Sequence, residues 1–185
     1  MVAEVTGTLK IRPATVADAA SLLAIYRPFV ESTAVSFETV APTTDEFGAR
    51  IAKAVADWEW LLAESAGQCI GYAYGSAHRA RSAYRWSVEV SAYVHPSHHR
   101  QGVGRALYER LLEDLARKGF CNAYAGVTMP NEGSIALHRS VGFESIGVFK
   151  AVGRKFGKWH DVAWFQRVLR SSPPQEEPSW SNDLA

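Results

Sequence analysis

The string His99-Arg100-Gln101-Gly102-Val103-Gly104 stands between a run of alternating apolar and polar residues and a stretch with helical apolar spacing. Glycines in such a turn let several backbone N–H groups point at one anion, and the positive end of the following helix favours negative charge there. Arg100 and Arg105 add charged donors. Chemistry of this kind holds a phosphate or a pyrophosphate. Spacing excludes two familiar forms of it: the third glycine of a dinucleotide fingerprint falls on Leu107, and no Gly-Lys-Ser/Thr of a P-loop follows. Taken alone, the string also fits a glycine-rich turn without a ligand.

The run before the turn carries the next candidate. Period two over residues 85–94 puts Trp86, Val88, Val90, Ala92 and Val94 on one face and Arg85, Ser87, Glu89, Ser91 and Tyr93 on the other. Glu89, in the middle of the polar face, suits proton abstraction, provided that burial raises its pKa from the ordinary value of about 4.3. Its alternatives are a counter-ion for a cationic substrate or a salt bridge with Arg81 or Arg85. His95, His98 and His99 invite a metal reading, but Pro96 interrupts them and no carboxylate lies nearby, so no metal is expected. Trp159-His160-Asp161 comes without a Ser or Cys nucleophile motif and reads as structural or as lining a site.

The elements that must position these groups are legible in outline. Leu9 to Ile11 reads as a short strand ended by Pro13, and Thr15 with Asp18 resembles a capping box opening a helix with Leu22, Ile25, Tyr26, Phe29 and Val30 on one side. A second helix starts near Thr43, with Glu46 three residues on. Trp60–Glu64 and Cys69–Tyr74 read as a hairpin around Ala66-Gly67. After the glycine turn, Val103, Leu107, Leu111 and Leu115 mark a helix that Gly119 caps. Residues 121–127 read as a strand, 131–141 as a short helix stopped by Gly142, and 143–153 and 159–169 as two further strands. This order predicts an α/β fold around one mixed sheet. With 185 residues, 47% of them hydrophobic, the chain suits one domain over 9–169, with a loose leader at 1–8 and a disordered tail at 170–185. A formal charge of +1 gives no support for a nucleic-acid groove or a membrane-surface patch. Two cysteines inside apolar runs, with no apolar stretch of spanning length and no signal peptide, fit a reducing cytoplasm.

The segment from Tyr93-Val94-His95-Pro96 through Gly102-Val103-Gly104-Arg105-Ala106-Leu107, with Asn131 and Gly142-Phe143 after it, resembles the GCN5-related N-acetyltransferase (GNAT) family. The resemblance implies a GNAT fold, a mostly antiparallel twisted sheet of about six or seven strands flanked by about four helices. It also implies acetyl-CoA as the acetyl donor, with its pyrophosphate on the turn from His99 to Arg105, Gln101 included. His99 stands where Gln or Arg is usual. Ala92, Tyr93 and Val94 would pair with the pantetheine arm, Asn131 and Ser134 would contact the cofactor, and a backbone N–H near Val94 would hold the oxyanion.

Within that family, Ser36-Phe37, the string Ala80 to Glu89, Leu137-His138 with Gly142-Phe143, and Gly157 to Val162 look like the phosphinothricin and methionine sulfoximine N-acetyltransferases. That resemblance implies acetylation of the α-amine of a small amino acid or glutamate analogue, with Glu89 and His138 as the catalytic pair. His138 takes the place of a tyrosine that protonates the leaving thiolate in many relatives, and its role stays open between acid–base catalysis and cofactor positioning. Phe37, Arg79, Arg81, Tyr84, Glu89, Tyr93 and Val162 would line the acceptor pocket. The arginines match a carboxylate or phosphinate there, or else form an exposed basic loop, and Phe37 and Tyr84 wall the pocket or pack in the core. Such enzymes are commonly homodimers. The competing readings are a protein or peptide acetyltransferase on the same fold and a CoA-binding sensor without turnover.

Overall fold

The computed structural model describes residues 8–172. The leader and tail expected at the ends fall outside these residues, apart from position 8 and positions 170–172. Strands β1 (Lys10–Pro13), β2 (Trp60–Ser65), β3 (Gln68–Ala77), β4 (Ser87–Val94), β5 (Asn122–Thr128), β6 (Glu144–Lys155) and β7 (Lys158–Val168) alternate with α1 (Ala19–Ser32), α2 (Thr44–Asp57), α3 (Val103–Arg117) and α4 (Glu132–Ser140). The order of elements is the one read from the sequence, and the fold is α/β around a single sheet of order β1-β2-β3-β4-β5-β7-β6.

Local signals start the early helices. Thr43 Oγ1 accepts the Glu46 N–H at 3.2 Å while Glu46 Oε2 accepts the Thr43 N–H at 2.7 Å, a reciprocal cap on α2. Asp18 accepts the Thr15 N–H at 2.8 Å, but a 3-10 turn over Val16–Asp18 intervenes before α1 begins at Ala19. Strand β4 also starts later than expected. Ser82–Tyr84 form a 3-10 turn, Arg85 Nε donates to the Ser82 carbonyl, and regular pairing begins only at Ser87.

The sheet divides the core into two layers. Tyr26 and Phe29 of α1 and Phe47 of α2 meet Tyr72 and Tyr93 on one face. Leu107, Leu111 and Leu115 of α3 are fully buried with Val88 on the other, where each such side chain contributes roughly 1.5–3 kcal/mol. No described helix is long and apolar enough to cross a membrane.

One pairing in the sheet is parallel, and it is short. β4 meets β5 only over Ser87↔Asn122, Val88↔Ala123 and Glu89↔Tyr124. Beyond Glu89 the strands part: β4 stays paired to β3 as far as Gly71↔Val94, and β5 stays paired to β7 as far as Thr128↔Val162. The result is a fork inside the sheet, with the β5-facing backbone of residues 90–94 left without a strand neighbour.

A buried lysine ties the outer hairpin to the first helix. Lys155, 5% exposed, donates from Nζ to the carbonyls of Val30 (2.6 Å) and Ser36 (2.7 Å). It thereby satisfies a carbonyl of the last turn of α1 and holds the loop that carries Phe37. Burial pushes its pKa below the usual lysine value, with Glu38 opposing the shift. Replacing Lys155 by Met leaves both carbonyls without that donor. The expected outcome is a loss of about 2 kcal/mol in urea unfolding, read as a lower midpoint at unchanged slope. An unchanged midpoint would show that the lysine holds nothing.

Candidate active site

The glycine turn forms as read, and its glycines serve different ends. Gly102 lies at φ +81°, where an L side chain is strained, and a Cβ there would meet nothing within 4 Å. Gly104 is needed for packing: a Cβ would lie 3.0 Å from Leu137 Cδ2, so its absence lets α3 and α4 approach. The first helical bond of α3 runs from Ala106 N–H to the Gly102 carbonyl at 3.0 Å, so the N–H groups of residues 103–105 precede the ladder. His99 Nε2 donates to the Val94 carbonyl at 2.9 Å, pinning the turn to the end of β4. Gln101 donates back to the Ser97 carbonyl at 3.0 Å and, unlike its neighbours, does not line the cleft. Arg105 pairs with Glu109 at 2.8 Å on the surface.

The cleft in front of this turn has a volume of about 720 Å³ and is walled by Ala92–Val94, by the turn, and by the start of α4 from Asn131 to Ser134. Asn131 is the N-cap of α4, its Oδ1 accepting the Ser134 N–H at 3.1 Å. A smaller cavity of about 50 Å³ shares Val35, Ala92, Tyr93, Asn131 and Ser134 with the cleft and continues between Val90–Tyr93 of β4 and Gly126–Thr128 of β5. It therefore occupies the fork, and Tyr108 and His138 also line it. Unbonded backbone N–H groups at one end and a narrow slot through the sheet, lined by polar groups such as Ser91, Thr128 and Ser134, suit a long ligand with phosphates at one end and a reactive group at the other.

His138 is 4% exposed and lies between Phe165 (stacked, 5.7 Å) and Phe143 (edge-on, 5.2 Å). Its Nδ1 is 2.7 Å from the Ser134 carbonyl, which can only accept, so Nδ1 carries the proton. Nε2 must then accept from the Tyr108 hydroxyl, 3.1 Å away. Burial lowers the His138 pKa against the raising effect of the Ser134 bond, so the ring is neutral. In this state the pair is arranged to take up a proton at the Tyr108 oxygen and pass one on to Nε2. Releasing one would first require a charged His138. Sequence reasoning missed Tyr108, because it lies beside Leu107 in a stretch that reads as core.

Glu89 stands at the crotch of the fork, in the last paired position of β4 and β5. Its Oε1 receives Arg79 Nη1 at 3.2 Å and lies 3.1 Å from His78 Nδ1, and no described residue takes Oε2. Burial raises its pKa, with Arg79 pulling the other way. The arginine that reaches the carboxylate is thus Arg79 from the loop, which also lies 5.9 Å from the Trp164 ring. His78 was not singled out from sequence. The one available signal was its place ahead of Arg79-Ala80-Arg81, directly after an apolar strand.

The remaining predicted residues are placed as follows. Tyr93 packs edge-on against Tyr26 (4.9 Å) and Phe29 (5.2 Å) while lining both cavities. Tyr84, 43% exposed, is edge-on to His78. Phe37 is also part-exposed, its ring filling the space where Gly153 lacks a Cβ, beside His160. Val162 is buried on β7 against Gly126. Arg81 caps the 3-10 turn, its carbonyl accepting the Tyr84 N–H at 2.9 Å, and its side chain makes no hydrogen bond to a described residue. Asp161 pairs with Lys150 at 2.8 Å rather than with His160. Ser97 Oγ bridges His95 and His98, and the described residues hold no cluster of three His, Cys, Asp or Glu side chains placed to bind a metal.

Comparison with known proteins gives this geometry a context. The family model of the acetyltransferase (GNAT) domain matches residues 11–164. The chain is 38% identical over 166 residues to a phosphinothricin N-acetyltransferase of Streptomyces viridochromogenes, covering 90% of this chain and 91% of that one. It is 36% identical over 162 residues to an L-methionine sulfoximine/L-methionine sulfone acetyltransferase of Salmonella typhimurium, covering 87% and 95%. A crystal structure of a phosphinothricin acetyltransferase from Sinorhizobium meliloti in complex with AcCoA superposes with a TM-score of 0.86 at 36% identity, covering 93% and 94% of the two chains.

The hydrogen bonds of His138 fix its tautomer, which nitrogen-15 shifts report directly. Near neutral pH they should show an uncharged ring with the proton on Nδ1, and Tyr108→Phe should move the Nε2 resonance with little change at Nδ1. A proton on Nε2 would contradict the assignment.

Proposed function

The chain belongs to the GNAT acetyltransferase family and is an N-acetyltransferase; from that premise we propose that it moves the acetyl group of acetyl-CoA to the α-amine of a small amino acid or glutamate analogue. Phosphinothricin, methionine sulfoximine and methionine sulfone represent the acceptor class. The observation that carries the reading is the position of Glu89, a half-buried carboxylate at the point where the β4–β5 fork opens. The names of the relatives and the acetyl-CoA complex of the Sinorhizobium protein support the donor and the acceptor class.

On this reading the turn and the first N–H groups of α3 take the pyrophosphate, and the backbone of Ala92–Val94 holds the pantetheine in the fork. Asn131 and Ser134 form the opposite wall. A backbone N–H of β4 near Val94, freed by the departure of β5, steadies the oxyanion. Glu89 Oε2 accepts the proton of the substrate ammonium, directly or through water. The amine then attacks the thioester carbonyl, the C–N bond forms and the C–S bond breaks, and coenzyme A leaves as a thiolate that takes the second proton shed by the attacking nitrogen. Tyr108 and His138 sit at the carbonyl end of the slot, where they position the acetyl group and take up charge. Phe37, Arg79, Arg81, Tyr84, Tyr93 and Val162 are assigned to the acceptor side, with the arginines facing its acidic groups.

Thiol release from acetyl-CoA, measured over a panel of amino acids, the three analogues and short peptides, tests the acceptor. Activity on peptides alone would sink it. Glu89→Gln should lower kcat by about 10²-fold or more with acetyl-CoA affinity little changed, which a cofactor sensor would not show. The sign of the pH dependence follows from burial. A base acts when ionised, and burial raises the Glu89 pKa above the ordinary glutamate value. The rate should therefore fall as the pH drops through a midpoint above that value, and Glu89→Gln should abolish this limb.

We also propose a homodimer. β6 is exposed along nearly its whole length, and Ile146 (52%), Val148 (44%), Phe149 (47%) and Val152 (51%) stand out on it among the described residues. An edge strand this apolar favours a second copy as its cover. Light scattering should give the mass of two chains, and Ile146→Glu with Val152→Glu should give one. A wild-type monomer at micromolar concentration would end the proposal.

A further inference from the structure

His78 follows the last residue of β3, and its side chain is only 12% exposed. Three aromatic rings from three different elements fix its plane. Tyr124 of β5 stacks on it at 4.3 Å and 17°, Tyr84 of the 3-10 turn meets it edge-on at 5.8 Å, and Trp164 of β7 does so at 6.5 Å. With the ring so held, Nδ1 lies 3.1 Å from Glu89 Oε1. Arg79 Nη1 reaches the same oxygen. We propose that His78 is the positioning residue for Glu89: it donates Nδ1–H to Oε1 and thereby presents Oε2 alone to the substrate ammonium.

Two physical arguments carry this. A glutamate side chain has several rotamers, and freezing one costs roughly 1.5–2 kcal/mol, so a base at the mouth of a fork needs a fixed partner. Arg79 is a poor one by itself, because its side chain is 47% exposed on a flexible stem. A second cation would also weaken the base, since each positive neighbour favours the ionised carboxylate. A neutral imidazole N–H holds the same oxygen without a full charge. The charged and titratable groups facing His78 are Glu89 from β4, Arg79 beside it in the chain, Tyr84 from the turn and Tyr124 from β5. Burial and then Arg79 lower its pKa, which keeps it neutral.

The inference rests on the reading of Glu89 as base, and the test separates the two. His78→Phe keeps the stacked ring and removes the donor, while His78→Asn keeps a donor near the place of Nδ1 and removes the ring. Expected is a fall in kcat of about tenfold or more for the Phe variant, with KM for acetyl-CoA within about twofold, and near wild-type kcat for the Asn variant. In a Glu89→Gln background, His78→Phe should have no further effect on kcat. The reverse order, Asn slow and Phe normal, would show that His78 only fills space, and equal losses in both would overturn the proposal as well. A fall for Glu89→Gln with none for His78→Phe overturns this inference alone, whereas unchanged kcat in Glu89→Gln overturns the base reading and this one with it. Thermal melts establish that each variant folds, and should the Phe variant fail, His78→Leu carries the same expectation.

Discussion

Three parallel pairings join β4 to β5, and then the ladder stops at Glu89 while both strands continue. Each strand keeps its outer neighbour, so the parting costs the sheet only the bonds along one seam. Buried backbone groups left without partners are expensive, and a seam of this kind persists only if something wedges it and something wet or bound satisfies it. Tyr93, held edge-on by Tyr26 and Phe29, pads one side of the seam. The hydrogen-bonded Tyr108 and His138 stand at its inner end, with His138 stacked against Phe165 of β7. The cleft, the slot and the carboxylate at its crotch all follow from that one break in pairing.

Electrostatics along the fork are built mainly from neutral groups. His138 is kept uncharged by burial and spends both ring nitrogens on fixed partners. His78 is kept uncharged by burial and by the neighbouring Arg79. Glu89 is held up by desolvation and moderated by one half-exposed guanidinium. A carboxylate in such surroundings is a better proton acceptor than a surface glutamate, since little opposes its neutral form.

The acceptor side is built differently from the donor side. The turn, the Ala92–Val94 backbone and the Asn131 cap are mostly main-chain features, which tolerate side-chain change such as histidine at position 99. The groups we propose around the acceptor are side chains from distant elements: Phe37 on a loop that Lys155 secures, Arg79 and Tyr84 before β4, Val162 on β7. Relatives sharing the donor-side chemistry can therefore diverge on the acceptor, and the named relatives act on different amino-acid analogues.

What the sequence determined by itself is whatever depends on spacing within one element. Capping boxes at Thr15 and Thr43, the two faces around Glu89, the Leu107–Leu111–Leu115 stripe and the left-handed turn at Gly102 are interactions over a few residues, so their pattern is written in adjacent letters. Motif resemblance went further and singled out the turn, Glu89 and His138 as candidates for the site. The tertiary structure decided the partnerships. Arg79 rather than Arg81 or Arg85 was placed on Glu89, His78 sits 11 residues from the carboxylate it touches, and Tyr108 is 30 residues from His138. Lys155 reaches a carbonyl 125 residues away. Periodicity tells which face a side chain occupies but not which other face it meets, because that choice belongs to the packing of whole elements. For the same reason the glycine turn, legible from the start, became one wall of a cleft only when the fork in the sheet opened behind it.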